Sequence, residues 1–198
     1  MYDSVLFHTA LTEHKTDPLA RLGVSPRAYG LATIHRPYNA DNVENLTGIV
    51  EAFAGLPYPV IFLTHPRTLK IIRQHNLSPA SNIHLVEPVG YLDMLVLEKN
   101  AYVILTDSGG VQKEAYFHAV PCVTIRPETE WVETVNTGWN TLADPTRESV
   151  LSALAKPRPT QPPPPVFGDG KAAEHVVERL AAWNEAQEAR GVADLQRV

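Results

Sequence analysis

The sequence "LTDSGGVQKEAY" (residues 105–116) joins an apolar run to an amphipathic one through Asp-Ser-Gly-Gly. The run at 101–107 predicts a strand, and the apolar spacing at 109–119 predicts a helix. Glycine costs a helix about 1 kcal/mol relative to alanine, so two glycines in a first turn indicate a function. Without side chains, Gly109 and Gly110 let an anion approach the free first-turn amide groups, and Ser108 can cap the helix. The pattern predicts a diphosphate site; the alternative is a plain capped turn.

Glu114 extends this prediction from a phosphate to a nucleotide. It follows Gly110 by four residues, so it lies on the same face of the helix one turn further in. At that distance a carboxylate does not repel the phosphate and can accept hydrogen bonds from a vicinal diol such as ribose. The alternative is a surface glutamate. The chain has neither a G-x-G-x-x-G nor a G-K-[ST] sequence, which disfavours a dinucleotide cofactor and a nucleoside triphosphatase.

The rest of the chain repeats the alternation of strand and helix. This order predicts an α/β fold, a Rossmann-like parallel sheet flanked by helices, formed as one domain over residues 1–198. Strands are predicted at 28–35, 58–65, 82–88, 101–107, 120–127 and 140–144. Helices are predicted at 41–56, 66–76, 91–100, 109–119, near 129–136 and at 147–155, after a helical opening stretch that ends at Asp17-Pro18.

Two further segments close the chain. Six of residues 157–165 are proline, which predicts an extended, Pro-rich strap at 157–166. A terminal helix is predicted at 168–190. Its apolar side, expected to be buried, carries Val176, Val177, Leu180 and Trp183.

Polar residues follow several of the predicted strands. Open parallel sheets bind ligands beyond the carboxyl ends of their strands, so we expect these residues to lie near one another. His35 can act as an acid or base and Arg36 can bind a phosphate. His65 follows the second strand, and two such histidines make a shared site more plausible than either alone, although a lone histidine usually packs under a loop. Backbone after the third strand, near Glu87, can pair with the edge of a base; the Tyr91 or Met94 side chain can cover it, with simple packing favoured for Met94.

A segment rich in aromatic and acidic residues follows the fifth strand. Arg126, Glu130, Trp131, Glu133 and Trp139 are candidates to line a pocket. Glu130 and Glu133 have an alternative role as first-turn carboxylates that interact favourably with a helix dipole.

Composition and residue spacing argue against several other classes of protein. A net charge of -5, a pI near 5.9 and the lack of a Lys/Arg cluster argue against nucleic-acid binding. The apolar runs are too short to span a membrane, and we recognise no signal peptide. Cys122 is the only cysteine, so no internal disulfide can form, and we expect a cytoplasmic protein. No spacing of ligands supports a metal site.

The ordered motifs resemble one known family. "TIHRPYNADN" (33–42), "THPRT" (64–68), "VEPVGYLDML" (86–95), "LTDSGGVQKEA" (105–115), "PCVTIRPETEWVETVNTGWNTL" (121–142) and "FGDGKAAEHVV" (167–177) look like the C-terminal half of the non-hydrolysing UDP-N-acetylglucosamine 2-epimerases. The resemblance runs from about residue 2 to residue 180. It implies one half of a glycosyltransferase-B-type two-domain fold that interconverts UDP-GlcNAc and UDP-ManNAc, without cofactor or metal, by UDP elimination and re-addition with inversion at C2.

The resemblance also implies roles for single residues. His35 becomes the catalytic histidine and Arg36 its cationic neighbour; His65 lies near the phosphates; the backbone at Glu87 reads uracil, with Met94 where the family often has an aromatic residue. In the same family comparison Ser108, Gly109 and Gly110 hold the diphosphate and Glu114 the ribose.

The family implies partners as well. The N-terminal domain is expected to be absent from this chain, and the full-length enzyme to form a homodimer in a polysaccharide pathway. Because the family's catalytic carboxylates lie largely in or against that other domain, we expect this domain alone to bind UDP with little turnover. Two alternatives stay open: a non-catalytic sugar-nucleotide-binding module, and a glycosyltransferase of the same fold.

Overall fold

The computed structural model describes residues 1–12, 16–75, 77 and 79–195, with side chains described up to residue 187. Six strands form one sheet: β1 (Gly30–Thr33), β2 (Val60–Leu63), β3 (Ile83–Val86), β4 (Val103–Thr106), β5 (Cys122–Ile125) and β6 (Asn140–Ala143). The helices are α1 (Tyr2–Thr12), α2 (Pro18–Leu22), α3 (Pro37–Ala40), α4 (Val43–Ala54), α5 (Pro66–Gln74), α6 (Tyr91–Asn100), α7 (Gly109–Phe117), α8 (Val132–Asn136), α9 (Arg147–Leu154) and α10 (Ala172–Leu195).

The sheet is parallel throughout, with strand order β3-β2-β1-β4-β5-β6. Every residue of β2, β4 and β5 is buried. Strands covered by helices on both faces have no solvent side, which explains why their sequences are continuous apolar runs. The predicted Rossmann-like fold and all six predicted strands are confirmed.

Two apolar clusters lie on opposite faces of the sheet. One packs α4 and α9 against each other and against the sheet, and its rings Phe53 and Phe62 meet edge to face with centroids 5.6 Å apart. In the other, Leu97 of α6 and Ala115 of α7 pack against Ile104 of β4. The second cluster therefore holds α6 and α7 side by side over the strand ends that matter for function.

Local sequence signals set the helix starts. Pro18, Pro37 and Pro66 occupy first-turn positions, where the missing N–H is not needed. Asn42 and Thr146 cap α4 and α9 by accepting backbone N–H groups of the first turn. The short helices α2 and α3 were not predicted, because four or five residues are too few to show a helical period.

Two sequence predictions need correction here. The predicted helix at 66–76 ends at Gln74, and Asn76 lies outside the described residues. The prediction that Val176, Val177, Leu180 and Trp183 are buried is wrong, since each is more than half exposed. The helical spacing showed which side of α10 is apolar, but it held no information about what covers that side.

The segment between α9 and α10 is held at both ends. Residues 157–165 contain neither helix nor strand. Arg158 donates to the Tyr102 carbonyl oxygen at 2.9 Å, and the Tyr116 hydroxyl donates to the Pro164 carbonyl oxygen at 2.6 Å. The amide of Ala173, near the start of α10, donates to the Asp3 carboxylate of α1 at 2.9 Å.

None of the helices in the described part of the chain combines the length and the apolarity that crossing a bilayer requires.

Candidate functional site

The centre of the sheet creates a crevice. β1 and β4 are neighbours there, and the chain moves outward in opposite directions from them. The loops that follow two such strands diverge, which leaves room for a ligand at their carboxyl ends. His35 follows β1, while Asp107 and Ser108 follow β4.

Asp107 organises this crevice. It is fully buried and accepts the backbone N–H of His35 at 3.1 and 3.2 Å and that of Arg36 at 3.0 Å. The buried Asn39 amide donates to it at 3.1 Å and to the Ile125 carbonyl oxygen at 2.9 Å. Asp107 therefore ties the loop after β1 to the start of α7. The sequence placed Asp107 at a strand end but assigned it no role, and it gave no signal for Asn39.

The same carboxylate orients the His35 ring. The His35 Nδ1 atom lies 3.2 Å from the Asp107 carboxylate, and the imidazole is about half exposed. An Nδ1–H that donates to a carboxylate leaves Nε2 as the free nitrogen of the neutral ring. His35 therefore presents one nitrogen to the crevice, where it can accept or donate a proton.

The first turn of α7 is open to an anion. Ser108 is at the N-cap position, but its hydroxyl makes no capping bond, so the prediction that it caps the helix holds for its position and fails for its side chain. The Ser108 hydroxyl is therefore not committed to the helix. First-turn amide groups lack acceptors within a helix and favour negative charge.

Gly109 permits a close approach by the segment after β5. A Cβ atom at this position would lie 3.2 Å from the Trp131 Nε1 atom and 3.6 Å from a Glu130 carboxylate oxygen. The segment after β5 thus lies directly over the start of α7, and a larger residue would push it away. At Gly110 the closest atom would be the Ser108 hydroxyl oxygen at 3.8 Å, an ordinary contact.

Two arginines lie beside the same helix start. Arg126 makes a two-pronged ion pair with Glu130 at 2.9 Å, which lowers the pKa of Glu130 to about 2. The Arg36 guanidinium lies 4.0 Å from Glu130. Glu130 is therefore ionised and paired with arginine side chains. The sequence analysis considered it as a pocket-lining residue or as a first-turn carboxylate, and neither role includes this ion pair.

Glu114 lies one turn further along α7, as predicted. It is almost fully buried and accepts a hydrogen bond from the Tyr91 hydroxyl at 3.1 Å. Burial raises the pKa of Glu114, and the hydrogen bond from Tyr91 opposes that rise. Tyr91, considered from sequence as a cover for a base, instead holds this carboxylate.

An apolar cavity of about 200 Å³ adjoins the crevice. It brings together three of the predicted site residues, His35, His65 and Met94. The other lining residues are Thr33, Ile34, Leu63, Pro88 and Val89. Its walls suit a flat, weakly polar ring better than a phosphate.

Of the predicted site residues, Glu87 lies outside this cavity, and His65 has a second role at a helix start. Glu87 is exposed and lines a second cavity with Thr64 and Arg73, so its side chain is not in the group formed by the histidines. His65 caps α5, where its Nδ1 atom accepts the Arg67 N–H at 3.3 Å. That bond leaves the His65 Nε2–H as a donor.

No cluster of three or more His, Cys, Asp or Glu side chains that could hold a metal ion occurs within the residues the structure describes.

A Rossmann-like sheet with an open helix start at its central crevice is typical of nucleotide-binding α/β domains. The family model of UDP-N-acetylglucosamine 2-epimerase matches residues 1–181. The chain therefore belongs to the UDP-N-acetylglucosamine 2-epimerase family.

Individual relatives agree with this membership. A UDP-N-acetylglucosamine 2-epimerase homolog from Methanococcus maripaludis is 46% identical over 186 residues, which cover 91% of this chain and 52% of that protein. A UDP-2,3-diacetamido-2,3-dideoxy-D-glucuronate 2-epimerase from Pseudomonas aeruginosa is 39% identical over 91% of this chain and 51% of its own.

A solved structure shows the same fold. The Methanocaldococcus jannaschii UDP-GlcNAc 2-epimerase, in complex with UDP-GlcNAc and UDP, has 39% identity and a TM-score of 0.78 over 91% of this chain and 52% of that one. The chain spans about half the length of the curated relatives it matches.

Proposed function

We propose that this chain is the UDP-binding half of a UDP-GlcNAc 2-epimerase that interconverts UDP-GlcNAc and UDP-ManNAc. One observation carries the proposal: the start of α7, the buried Glu114, the apolar cavity and the His35–Asp107 pair all lie at the carboxyl edge of one parallel sheet. The relatives' names and the nucleotide complex supply the chemistry that this arrangement suits.

Each part of UDP has a partner in the proposed site. The diphosphate binds the amide groups of Gly109 and Gly110 and the uncommitted Ser108 hydroxyl. The ribose hydroxyls donate to Glu114. Uracil enters the apolar cavity beside Met94, where it meets the backbone that follows Glu87. Arg36 and the His65 Nε2–H add positive charge and a donor near the phosphates.

The reaction needs stabilisation of a leaving group. When the proton leaves C2 and the bond between C1 and oxygen breaks, the electron pair of that bond goes to UDP. Helix-terminal amides and Arg36 stabilise the charge that grows there. Re-addition of UDP reverses the step, with the proton returned to the opposite face of C2. His35, oriented by Asp107, is the group of this chain placed to move a proton during these steps.

The other half of the cleft belongs to a second domain of the same enzyme. We propose that the full-length enzyme is a homodimer in the cytoplasm, that it supplies a sugar nucleotide for polysaccharide synthesis, and that this domain alone binds UDP without turnover. Turnover by the 198-residue chain alone, or UDP binding by a full-length protein that never epimerises, would contradict this division. Because one relative is named for a diacetamido-glucuronate substrate, both UDP-sugars should be assayed.

Calorimetric titration of UDP tests the binding site. Ser108→Ala and Glu114→Gln should each weaken binding by about 1–3 kcal/mol, since each removes a hydrogen bond to a buried or charged partner. Glu44→Gln is the matched control, because Glu44 is exposed in the first turn of α4. Wild-type affinity in both site variants would refute the assignment.

Turnover by the full-length enzyme tests the catalytic role. His35→Asn should reduce kcat at least about 100-fold, the lower range for loss of acid–base catalysis. UDP affinity should stay within about threefold, since the pyrophosphate amides are untouched. A variant that keeps its turnover would remove His35 from the chemistry.

A further inference from the structure

A second acid lies behind Glu114 and has no role in the proposed function. Glu98 is on α6, which packs beside α7, and its relative exposure is 0%. Residues of the second apolar cluster lie one position before it (Leu97) and three positions after it (Ala101). Neither of its carboxyl oxygens accepts a hydrogen bond from a donor among the described residues.

An ionised carboxylate in such a place is unfavourable. Burial removes the water that solvates the charge, and no donor or cation replaces it. The neutral, protonated form of the carboxyl group is therefore favoured. Burial, followed by the nearby Glu114 charge, raises the pKa of Glu98 well above its ordinary value. As a neutral acid Glu98 gains an O–H donor, and the Glu114 carboxylate is within reach of that donor.

We propose that Glu98, as a neutral carboxylic acid, donates a hydrogen bond to Glu114 and so positions the Glu114 carboxylate for the two ribose hydroxyls. The inference rests on the proposed function, because it explains how the ribose contact of that site is held in place. Glu98 touches no substrate, so it is a positioning residue.

The arrangement fixes the net charge of the Glu98–Glu114 pair and the orientation of the Glu114 carboxylate. Tyr91 donates to Glu114 as well, so two donors hold the carboxylate from the protein side. The pair carries one negative charge, whereas two ionised acids beside a pyrophosphate would repel both each other and the ligand.

Other titratable groups around Glu98 do not supply this hydrogen bond. Ionisable side chains near the pair include Tyr91 and Lys99 on α6, His118 after α7, Cys122 of β5, Arg27 and Tyr29 before β1, and His8 of α1, whose ring centroid lies 5.4 Å from that of Tyr91. The Tyr29 hydroxyl is already committed, since it donates to the Leu97 carbonyl oxygen at 2.6 Å.

The test compares UDP with 2′-deoxy-UDP, which lacks one of the two hydroxyls. We expect the wild-type chain to prefer UDP at least about tenfold, the value for a hydrogen bond to a charged group. Glu98→Gln keeps a donor of the same shape, so the preference should stay within about twofold of wild type. Glu98→Met removes the donor at similar volume, and the preference should fall to about twofold or less. Thermal unfolding of each variant checks that it folds.

A pH series provides a second measurement that does not depend on Glu98→Met. As the pH rises, Glu98 loses its proton, so the wild-type preference for UDP should decline while that of Glu98→Gln stays flat. Equal profiles, or full preference in folded Glu98→Met, would overturn the role of Glu98 and leave the proposed function intact. Failure of the wild-type chain to bind UDP would overturn both.

Discussion

Asp107 and Glu98 are both acids with no solvent exposure, yet their surroundings are opposite. Asp107 accepts from two backbone N–H groups and the Asn39 amide, and His35 Nδ1 lies 3.2 Å away. Glu98 has no such donors. Burial without donors favours the neutral form of a carboxylic acid, so Glu98 holds a proton, whereas the donors around Asp107 tie the loop after β1 to it.

Position in the chain explains this difference. Asp107 lies between a strand and a helix, where the loop after β1 has amide groups free to turn toward it. Glu98 lies near the end of one helix and against the middle of another, where amide groups are already bonded to carbonyl groups of the same helix. The backbone around each acid therefore supplies donors to Asp107 and none to Glu98.

The largest loss in the free energy of unfolding is expected for a change at Asp107. Asp107→Asn places an amide N–H among donors, so we expect a loss of about 3 kcal/mol in the free energy of unfolding. Urea denaturation measures this value. Asp41→Asn is the control, because the Asp41–Arg67 ion pair is solvent-exposed and should contribute less than about 1 kcal/mol. Equal losses in the two variants would mean that the donors around Asp107 are not what stabilises the loop.

The next effect is a dependence on pH. The pKa of Glu98 is above 4.5 in the folded chain, so its contribution to stability is complete below the unfolded pKa and is lost as the pH rises through the folded value. Glu98→Gln carries no such proton, so its stability relative to wild type should increase with pH, by up to about 1.4 kcal/mol per unit of pKa elevation.

Denaturant titrations from about pH 4.5 to 8 measure this difference. Glu44→Gln, an exposed change of the same type, should show no such trend. A constant difference between Glu98→Gln and wild type at every pH would mean that Glu98 is ionised in the folded chain.

The smallest effect is expected at Tyr91. Burial, followed by the Glu114 charge, raises the pKa of the Tyr91 hydroxyl to about 12, so it remains a donor across the usual pH range. Tyr91→Phe removes one of two donors to Glu114 at a partly exposed position, and stability should fall by about 0.5–1 kcal/mol. Tyr38→Phe, at a more exposed tyrosine, is the control for thermal unfolding. If Tyr91→Phe lost more stability than Asp107→Asn, the surroundings of Glu114 would contribute more to folding than those of Asp107, contrary to the expected order.

The sequence was sufficient to predict the strands of the sheet and the position at which α7 starts. Runs such as 103–106 are apolar without alternation because both faces are covered, and Gly109 and Gly110 stand out because helices rarely begin with two glycines. His35 and His65 line the same cavity, since the carboxyl ends of parallel strands share one edge; their roles in a site stay a prediction.

The remaining contacts depend on tertiary structure. The spacing of α6 gives no sign that Glu98 faces a second acid, and nothing near Asn39 indicates that its amide reaches Asp107. Trp183 has the spacing of a buried residue, yet it is 63% exposed. Such cases require knowledge of which helix packs against which surface.

The Pro-rich segment before α10 has a mechanical consequence. A chain of this composition behaves as a semi-rigid rod of about 3.1 Å per residue, in contrast to a Gly/Ser tether that coils. Pinned by Arg158 and by Tyr116, the rod fixes where the terminal helix starts. Shortening it by one proline would shift that starting point, because a rod has no slack to absorb the loss.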